Sequence, residues 1–527
     1  MEQRLRPVLF IAKIIFLAAL SYFAIRLVLY HYYLVIFPYA SSLREGSMMT
    51  STAALVHGIN PFDMSLQPQL MNQYGIIYPL LVWPWAKLFG TTILVHRIVI
   101  AIGLLISCLT VFLVLKRMKV PVLLNLWAVL MLYASLLYPG TSTPAIDPGA
   151  VGMMFFLLTI FIPWFYKYSY PSMTISIICG ILGFYTKSYA FLGVPFLLSY
   201  IFLFVSRLKS LYYGLILLLL SVISIVLVDR IFPAYFDNCF FSHVNMEHAW
   251  ASAERLQVQI VMYRALHRPI FILWGIMIIW FGYQLIKEAP WAILRNKITE
   301  IIMSFISMDI RQPMIKWDFS LVLYMAMCSS FVLYVSLGRH SGAMLWYFFQ
   351  LLSPFLLIGS AWVFGRFNYW PIVCVPLLIY NLHILTVDHN YKIFNKNMPG
   401  WSQITMLLSQ HQHILNSPLI APILVEQHKE VIDNGQAEYF GLGGERQGWM
   451  KNVFKEDERV SLQLTLFFLN IRNRVENKEF DLIVLQPSLL PSGVADDIRK
   501  YYKDEGQLLL YAPQDHRSYA VTVWLPQ

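Results

Sequence analysis

The sequence predicts an all-α polytopic membrane protein of about eleven transmembrane helices, followed by a small C-terminal α/β domain. Three observations carry that reading. Of 527 residues, 58% are hydrophobic and 13% charged, against roughly 45–50% and 25% in a soluble domain, and the mean hydropathy is +0.59. The basic residues, which give a formal charge of +10, fall in short clusters between apolar runs, the pattern that orients membrane spans and not the single patch of a nucleic-acid binder. Beyond residue 388 the composition changes and charges become frequent. A soluble enzyme and a fibrous or disordered chain are thereby excluded. The five cysteines, Cys108, Cys179, Cys239, Cys328 and Cys374, show no pairing pattern and mostly sit in apolar runs, so packing is their expected role.

Each span needs about 20 apolar residues. The first, 8–37, follows Arg4 and Arg6, which sets the N-terminus in the cytoplasm. It is longer than a signal-peptide core; Tyr39-Ala40-Ser41 has the look of a weak cleavage site, but an uncleaved span is the expectation. A long outer loop, 38–90, follows, with short interfacial helices at 47–57 and 78–89. Span two (92–115) returns to Lys116-Arg117-Met118-Lys119. Spans three (120–138) and four (151–166) are joined outside around Asp147, and four ends at Lys167. Spans five (173–186) and six (190–205) lead back to Arg207 and Lys209. Span seven (212–228) opens into a second large outer loop, 232–268, and span eight (269–286) returns to a cytoplasmic loop, 287–317, marked by Lys287, Arg295, Lys297, Arg311 and Lys316. Spans nine (319–336), ten (344–364) and eleven (370–385) finish outside. Every basic cluster then lies on the inner side and the C-terminus outside.

The membrane domain therefore takes residues 1–387 and an extracytoplasmic domain takes 388–527. In the latter, buried strands are expected at Ala421-Pro-Ile-Leu-Val and Asp481-Leu-Ile-Val-Leu, a helix at 495–503 and a further apolar run at 508–511. Gly441-Leu-Gly443-Gly444 lacks a strand-then-helix context and reads as a turn.

A charge costs roughly 2.5–3.5 kcal/mol at the centre of a span, so the charges that persist near spans on the outer side ask for a reason. They are Arg44, Glu45, Asp63, Arg97, Asp147, Lys187, Arg339 and His340. Glu45, in Leu43-Arg-Glu-Gly-Ser directly after a span, is placed to take a proton from an attacking hydroxyl; a solvated loop acid is the plainer role. Asp147 can cap span four, a role compatible with chemistry. Lys187, in Gly183-Phe-Tyr-Thr-Lys-Ser-Tyr, can bind a phosphate or snorkel to the interface. His243, Glu247 and His248 lack the His-Glu-x-x-His spacing, so neither a metal site nor a cofactor is expected, although the residues leave a divalent metal requirement open. No Gly-x-Ser-x-Gly elbow, Cys/His pair or Asp-x-Asp element appears on the outer side, which leaves hydrolase and nucleotide-sugar chemistry without support.

Taken in order, Glu45-Gly-Ser, Leu55-Val-His-Gly-Ile-Asn-Pro-Phe62, and Tyr78-Pro-Leu-Leu-Val-Trp-Pro-Trp-Ala-Lys-Leu-Phe-Gly90 followed by Arg97 resemble the first outer loop of the GT-C membrane glycosyltransferases. The similar branch is the bacterial one of galacturonosyl, aminoarabinose and protein mannosyl transferases. Pro144-Ala-Ile-Asp147, Leu182-Gly-Phe-Tyr-Thr-Lys187, and Gly338-Arg-His-Ser-Gly342 with Trp346-Tyr347 resemble that branch's later motifs, so the likeness covers residues 1–365.

The resemblance implies a GT-C fold and a sugar that arrives on a polyprenyl phosphate at the outer leaflet of the bacterial cytoplasmic membrane. It implies Glu45 as catalytic base, where many members carry Asp, and Asp147 as the second acid. Lys187, with Arg97, Arg339 and His340, would meet the donor phosphate, and Tyr78 and Tyr347 the substrates. The acceptor would be a hydroxyl of a lipid, glycan or protein, with membrane lipids as the other partners and no nucleic acid. The chemistry is consistent on its own terms: polyprenyl phosphate is a good leaving group, so one base and a few cations suffice for displacement with inversion, and no general acid is needed. The competing readings are a transporter or flippase of lipid-linked glycans, which would use the cations but no base and usually shows internal repeats not detected here, a glycan polymerase or ligase, and a scaffold.

Overall fold

The computed structural model describes residues 2–66, 74–137, 147–241, 275, 279, 311–314, 320–336, 342–383, 398–433, 458–486, 492–514 and 517–527. Helices occupy the stretches expected for spans one to seven and nine to eleven: α1 (Glu2–Ile36), α4 (Ile93–Arg117), α5 (Val122–Leu136), α6 (Gly149–Phe165), α7 (Tyr170–Phe184), α8 (Gly193–Phe204), α9 (Arg207–Ile231), α10 (Leu321–Ser336), α11 (Gly342–Phe364) and α12 (Trp370–His383). The eighth expected span lies outside the described residues apart from 275 and 279, as do most of 287–317, the histidines of the second large loop and Gly441–Gly444. Among the described residues, Arg6–Ile36, Ile93–Arg117 and Arg207–Ile231 are each long and apolar enough to cross a membrane unaided. Val122–Leu136, Gly149–Phe165, Tyr170–Phe184 and Leu321–Ser336 are shorter apolar helices.

Leucine, isoleucine, valine and phenylalanine dominate these helices, and what separates them is which faces they bury. On α1, Phe16, Phe23, Leu27 and Leu34 join the core while Phe10 and Ile25 point outward. On α9 nearly the whole helix is apolar and open, with Leu215 and Leu218 both more than half exposed. Such surfaces are stable only in hydrocarbon. The core collects side chains of α1, α4–α8 and α10–α12, with Trp127, Phe156, Phe355 and Leu378 fully buried. The chain is a membrane protein.

Between α1 and α4 two short helices, α2 (Glu45–Val56) and α3 (Ile77–Phe89), appear where interfacial helices were expected. α2 is buried along most of its length although it is rich in Ser and Thr. Those hydroxyls bond back to their own helix: Thr50 to Gly46 O, Ser51 to Ser47 O and Thr52 to Met48 O. This i→i−4 bonding is how hydroxyl side chains are buried without orphaned donors.

The C-terminal unit is α/β. It runs α13 (Pro399–Gln410), β1 (Ile414–Asn416), α14 (Ala421–Glu426), α15 (Glu458–Glu476), β2 (Leu482–Leu485), α16 (Ser492–Tyr501), β3 (Tyr502–Ala512) and β4 (Arg517–Pro526). The sheet order is β1-β2-β4-β3, with β1 and β2 parallel and β4 antiparallel to both of its neighbours. Alternation along β2 sends Leu482 and Val484 to one covered face and Ile483 and Leu485 to the other, as a two-residue period requires. One expectation is corrected: Ala421-Pro-Ile-Leu-Val is a helical turn and not a strand, and the strand lies just before it at 414–416. A short apolar run does not distinguish the two, and Pro422, at the start of the run, fits the first turn of a helix and would break a ladder.

Candidate functional site

The site is assembled at one end of the helical bundle from α2, α3, the start of α4, the start of α6 and the turn after α7. Arg97 lies in the second turn of α4, almost fully buried. Its Nε donates to Glu45 Oε1 at 2.7 Å and its Nη2 to Glu45 Oε2 at 2.9 Å. The remaining donors reach main-chain carbonyls of Leu34, Phe37 and Tyr39 at 2.8, 2.5 and 2.8 Å, and Ser41 Oγ at 3.0 Å. All five guanidinium hydrogens are thus engaged. Glu45, in the first turn of α2, also accepts from Ser41 N at 2.6 Å and Ser41 Oγ at 3.2 Å. A carboxylate there complements the positive end of the helix.

A second pair stands at the other side of the site. Lys187 Nζ is 3.1 Å from Asp147 Oδ1 and 3.3 Å from Oδ2. Asp147 Oδ1 also accepts from Gly149 N at 2.8 Å, which fixes the start of α6, so the capping role and a site role coexist. Lys187 Nζ lies 4.2 Å from the centre of the Tyr74 ring, over its face, an arrangement that holds a cation without consuming its hydrogens. The approach depends on Gly75. A Cβ on that residue would come 1.9 Å from Tyr185 O, and Ile77 N donates to the same carbonyl at 3.0 Å.

Tyr78 connects the two pairs. Its buried hydroxyl meets His96 Nδ1 at 3.0 Å and His96 O at 3.3 Å. Burial, then the charges of Glu45 and Asp147, push its ionisation well above the ordinary tyrosine value, with Arg97 opposing. It stands between the two pairs: His96, its bonding partner, directly precedes Arg97, and Ile77 N, one residue before Tyr78, bonds the carbonyl of Tyr185, two residues ahead of Lys187.

Of the residues singled out from sequence, Glu45, Arg97, Tyr78, Asp147 and Lys187 are therefore brought together. Arg97 spends its donors on Glu45, the Ser41 hydroxyl and the main chain, which leaves none for a donor phosphate. Arg339 and His340 lie outside the described residues, and Tyr347 is on α11 with its side chain outside them. Asp63 makes a local turn, accepting from Ser65 N and Oγ. Sequence reasoning passed over Ser41, Tyr74, His96 and Glu426. Ser41 was visible only as part of the weak cleavage pattern, and Tyr74 and Glu426 carry no local signal. Among the described residues, no three His, Cys, Asp or Glu side chains gather as a metal site would require.

No protein-family profile matches the chain, and no curated protein matches it in sequence. Solved structures do match. ArnT from Cupriavidus metallidurans in the apo state aligns with 95% of this chain and 96% of its own, at 11% identity and a TM-score of 0.51. ArnT from the same organism bound to undecaprenyl phosphate gives 12% identity and a TM-score of 0.49, with the same coverage. The archaeal oligosaccharyltransferase AglB from Archaeoglobus fulgidus, in complex with an inhibitory peptide and a dolichol-phosphate, gives 11% identity and a TM-score of 0.45, over 95% of this chain and 74% of its own. At these identities the likeness to ArnT establishes the fold. The chain has the GT-C fold of membrane glycosyltransferases.

Proposed function

We propose that this chain is a membrane glycosyltransferase that moves a sugar from a polyprenyl-phosphate donor to a hydroxyl acceptor on a lipid, glycan or protein. The observation that carries the reading is the pairing of two buried carboxylates with two cations at one end of a GT-C bundle. Supporting it, ArnT, whose fold this chain shares, has been crystallised with undecaprenyl phosphate. Ionisable side chains buried at the end of a membrane bundle are costly and mark functional sites more often than surface charges do. With Arg4 and Arg6 inside, that end is at the outer face of a bacterial cytoplasmic membrane, and the C-terminal unit is extracytoplasmic.

In the reaction, the acceptor oxygen bonds to the anomeric carbon from the face opposite the phosphate and the carbon–oxygen bond to phosphate breaks. The electron pair leaves with polyprenyl phosphate, and a carboxylate takes the acceptor proton, so the configuration inverts. The two acids divide the work. Glu45 is held by Arg97 and Ser41 through four hydrogen bonds, which suits a frame. Asp147 Oδ2 accepts from Lys187 Nζ, and Lys187 is the more exposed of the two cations. Asp147 is accordingly the better placed base and Lys187 the cation for the departing phosphate. This reverses the priority that the resemblance implies, in which Glu45 is the base.

The test is transfer from a lipid-linked sugar in proteoliposomes. Asp147→Asn is expected to lower kcat by about 10²–10⁴-fold, and Lys187→Gln to weaken both donor KM and kcat. Full activity in Asp147→Asn would remove Asp147 as base, and no transfer from any lipid-linked sugar by the wild type would end the reading.

A further inference from the structure

The chemistry proposed above uses nothing from the C-terminal unit, yet that unit grips both halves of the Glu45–Arg97 pair. On the Glu45 side, Tyr39 stacks on Trp401 with ring centres 4.8 Å apart and planes 3° from parallel. Trp401 is itself fixed by its Nε1 bond to Tyr511 O at 2.8 Å. Gln514 N, in the turn between β3 and β4, donates to Ser41 O at 3.1 Å, and Ser41 is the residue whose N–H and hydroxyl hold Glu45. On the Arg97 side, Glu426 Oε1 accepts from Ile93 N at 2.8 Å. Ile93 opens α4, the helix that carries Arg97 four residues later. Apolar contact joins the two ends: Phe37, Ala40, Met49 and Ile93 share one buried cluster with Trp401 and Leu419.

We infer that the C-terminal unit is a positioning element of the reaction centre, in which Trp401, Glu426 and the Gln514 main chain set the Glu45–Arg97 pair. The segment from Phe37 to Arg44 has no helix or strand of its own, so its conformation comes from what it touches. Arg97 ties one side through three carbonyls at 34, 37 and 39, and the C-terminal unit ties the other through the Tyr39 ring and the Ser41 carbonyl. Remove either hold and a bare connecting segment keeps too few contacts to stay in one state.

The inference rests on the glycosyltransferase reading for its kinetic measurement, and has a second measurement that does not. Full-length protein in lipid nanodiscs is prepared as wild type, Trp401→Ala, Trp401→Phe, Glu426→Ala and Glu426→Gln. Amide hydrogen exchange over residues 37–48 is followed in all five, and kcat and KM with a lipid-linked sugar. Trp401→Ala and Glu426→Ala should speed exchange in this segment by about tenfold or more and lower kcat about tenfold or more with donor KM little changed. Trp401→Phe, which keeps a stacking ring, and Glu426→Gln, which keeps an acceptor oxygen, should recover most of both losses. Unchanged exchange over 37–48 in both alanine variants would overturn the inference, as would faster exchange with kcat intact. If the wild type transfers no sugar, the reaction reading fails, and the exchange data still decide whether the unit holds the segment.

Discussion

Arg97 Nε sits 2.7 Å from Glu45 Oε1, with the two side chains only 1% and 5% exposed. They come from sequence positions 52 residues apart, and the fork between them closes the short helix α2 onto the long helix α4. Taking one partner from a buried ion pair strands the other charge, at a cost of about 3–5 kcal/mol. Glu45→Ala and Arg97→Ala should each lower the thermal unfolding midpoint in detergent steeply. Arg97→Lys should recover little, because an ammonium cannot supply the planar fork and the three carbonyl bonds together. A midpoint for Arg97→Lys equal to the wild type would refute this.

Gly75→Ala tests the other half of the site. The added Cβ would press on the Tyr185 carbonyl at 1.9 Å, so the segment bearing Tyr74 must move away from the turn bearing Lys187. The expected outcome is about 1–3 kcal/mol of destabilisation, typical of overpacking, together with loss of transfer. Gly58→Ala serves as the comparison, since nothing lies within 4 Å of its would-be Cβ and its effect should come only from its positive φ. Equal losses in kcat for the two would count against the placement of Tyr74.

Tyr78 gives a prediction in alkali. Its hydroxyl ionises well above the ordinary value of 10.0, through burial and the nearby Glu45 and Asp147 charges. A group whose folded value is raised gives stability that is present below its unfolded value and lost as pH rises towards the folded one. Stability should therefore fall above pH 10 in the wild type, and fall less in Tyr78→Phe. Unfolding midpoints measured from pH 9 to 11.5 decide the point; parallel curves would contradict it.

Glu426 titrates in the same sense at the acid end. Burial raises it above the ordinary 4.5, against the opposing Ile93 N–H bond and Arg97 charge, with Glu45 adding to the rise. Its contribution is therefore full below the ordinary carboxylate value and declines as pH climbs through the folded one. Glu426→Gln keeps the acceptor oxygen, so it should leave hydrogen exchange at Ile93 no faster than in the wild type, whereas Glu426→Ala speeds it. Faster exchange at Ile93 in Glu426→Gln would show that the charge itself is needed.

The helices of the bundle were readable from the sequence because a membrane span is written in twenty apolar letters, and the same sparseness of charge brought Glu45, Arg97, Asp147 and Lys187 into view. What each charge does was not readable. Arg97 looked like a phosphate ligand since its partners at 34, 37 and 39 are carbonyls, which every residue possesses and no letter announces. The five apolar residues at 421–425 fit a helical turn and a strand equally, and β4 opens on a mixed sequence, Arg517-Ser-Tyr-Ala-Val-Thr, that does not announce a strand. The hold of Glu426 on Ile93 spans 333 residues, a distance over which local pattern carries no information.

Arg97's grip on the main chain has a consequence for how the segment after α1 tolerates change. Carbonyl oxygens at 34, 37 and 39 are indifferent to the side chains beside them but not to the number of residues between them. A single residue inserted or deleted between 39 and 45 changes the spacing between these carbonyls and Glu45, which the same guanidinium must reach together, so here the chain's length is a constrained quantity.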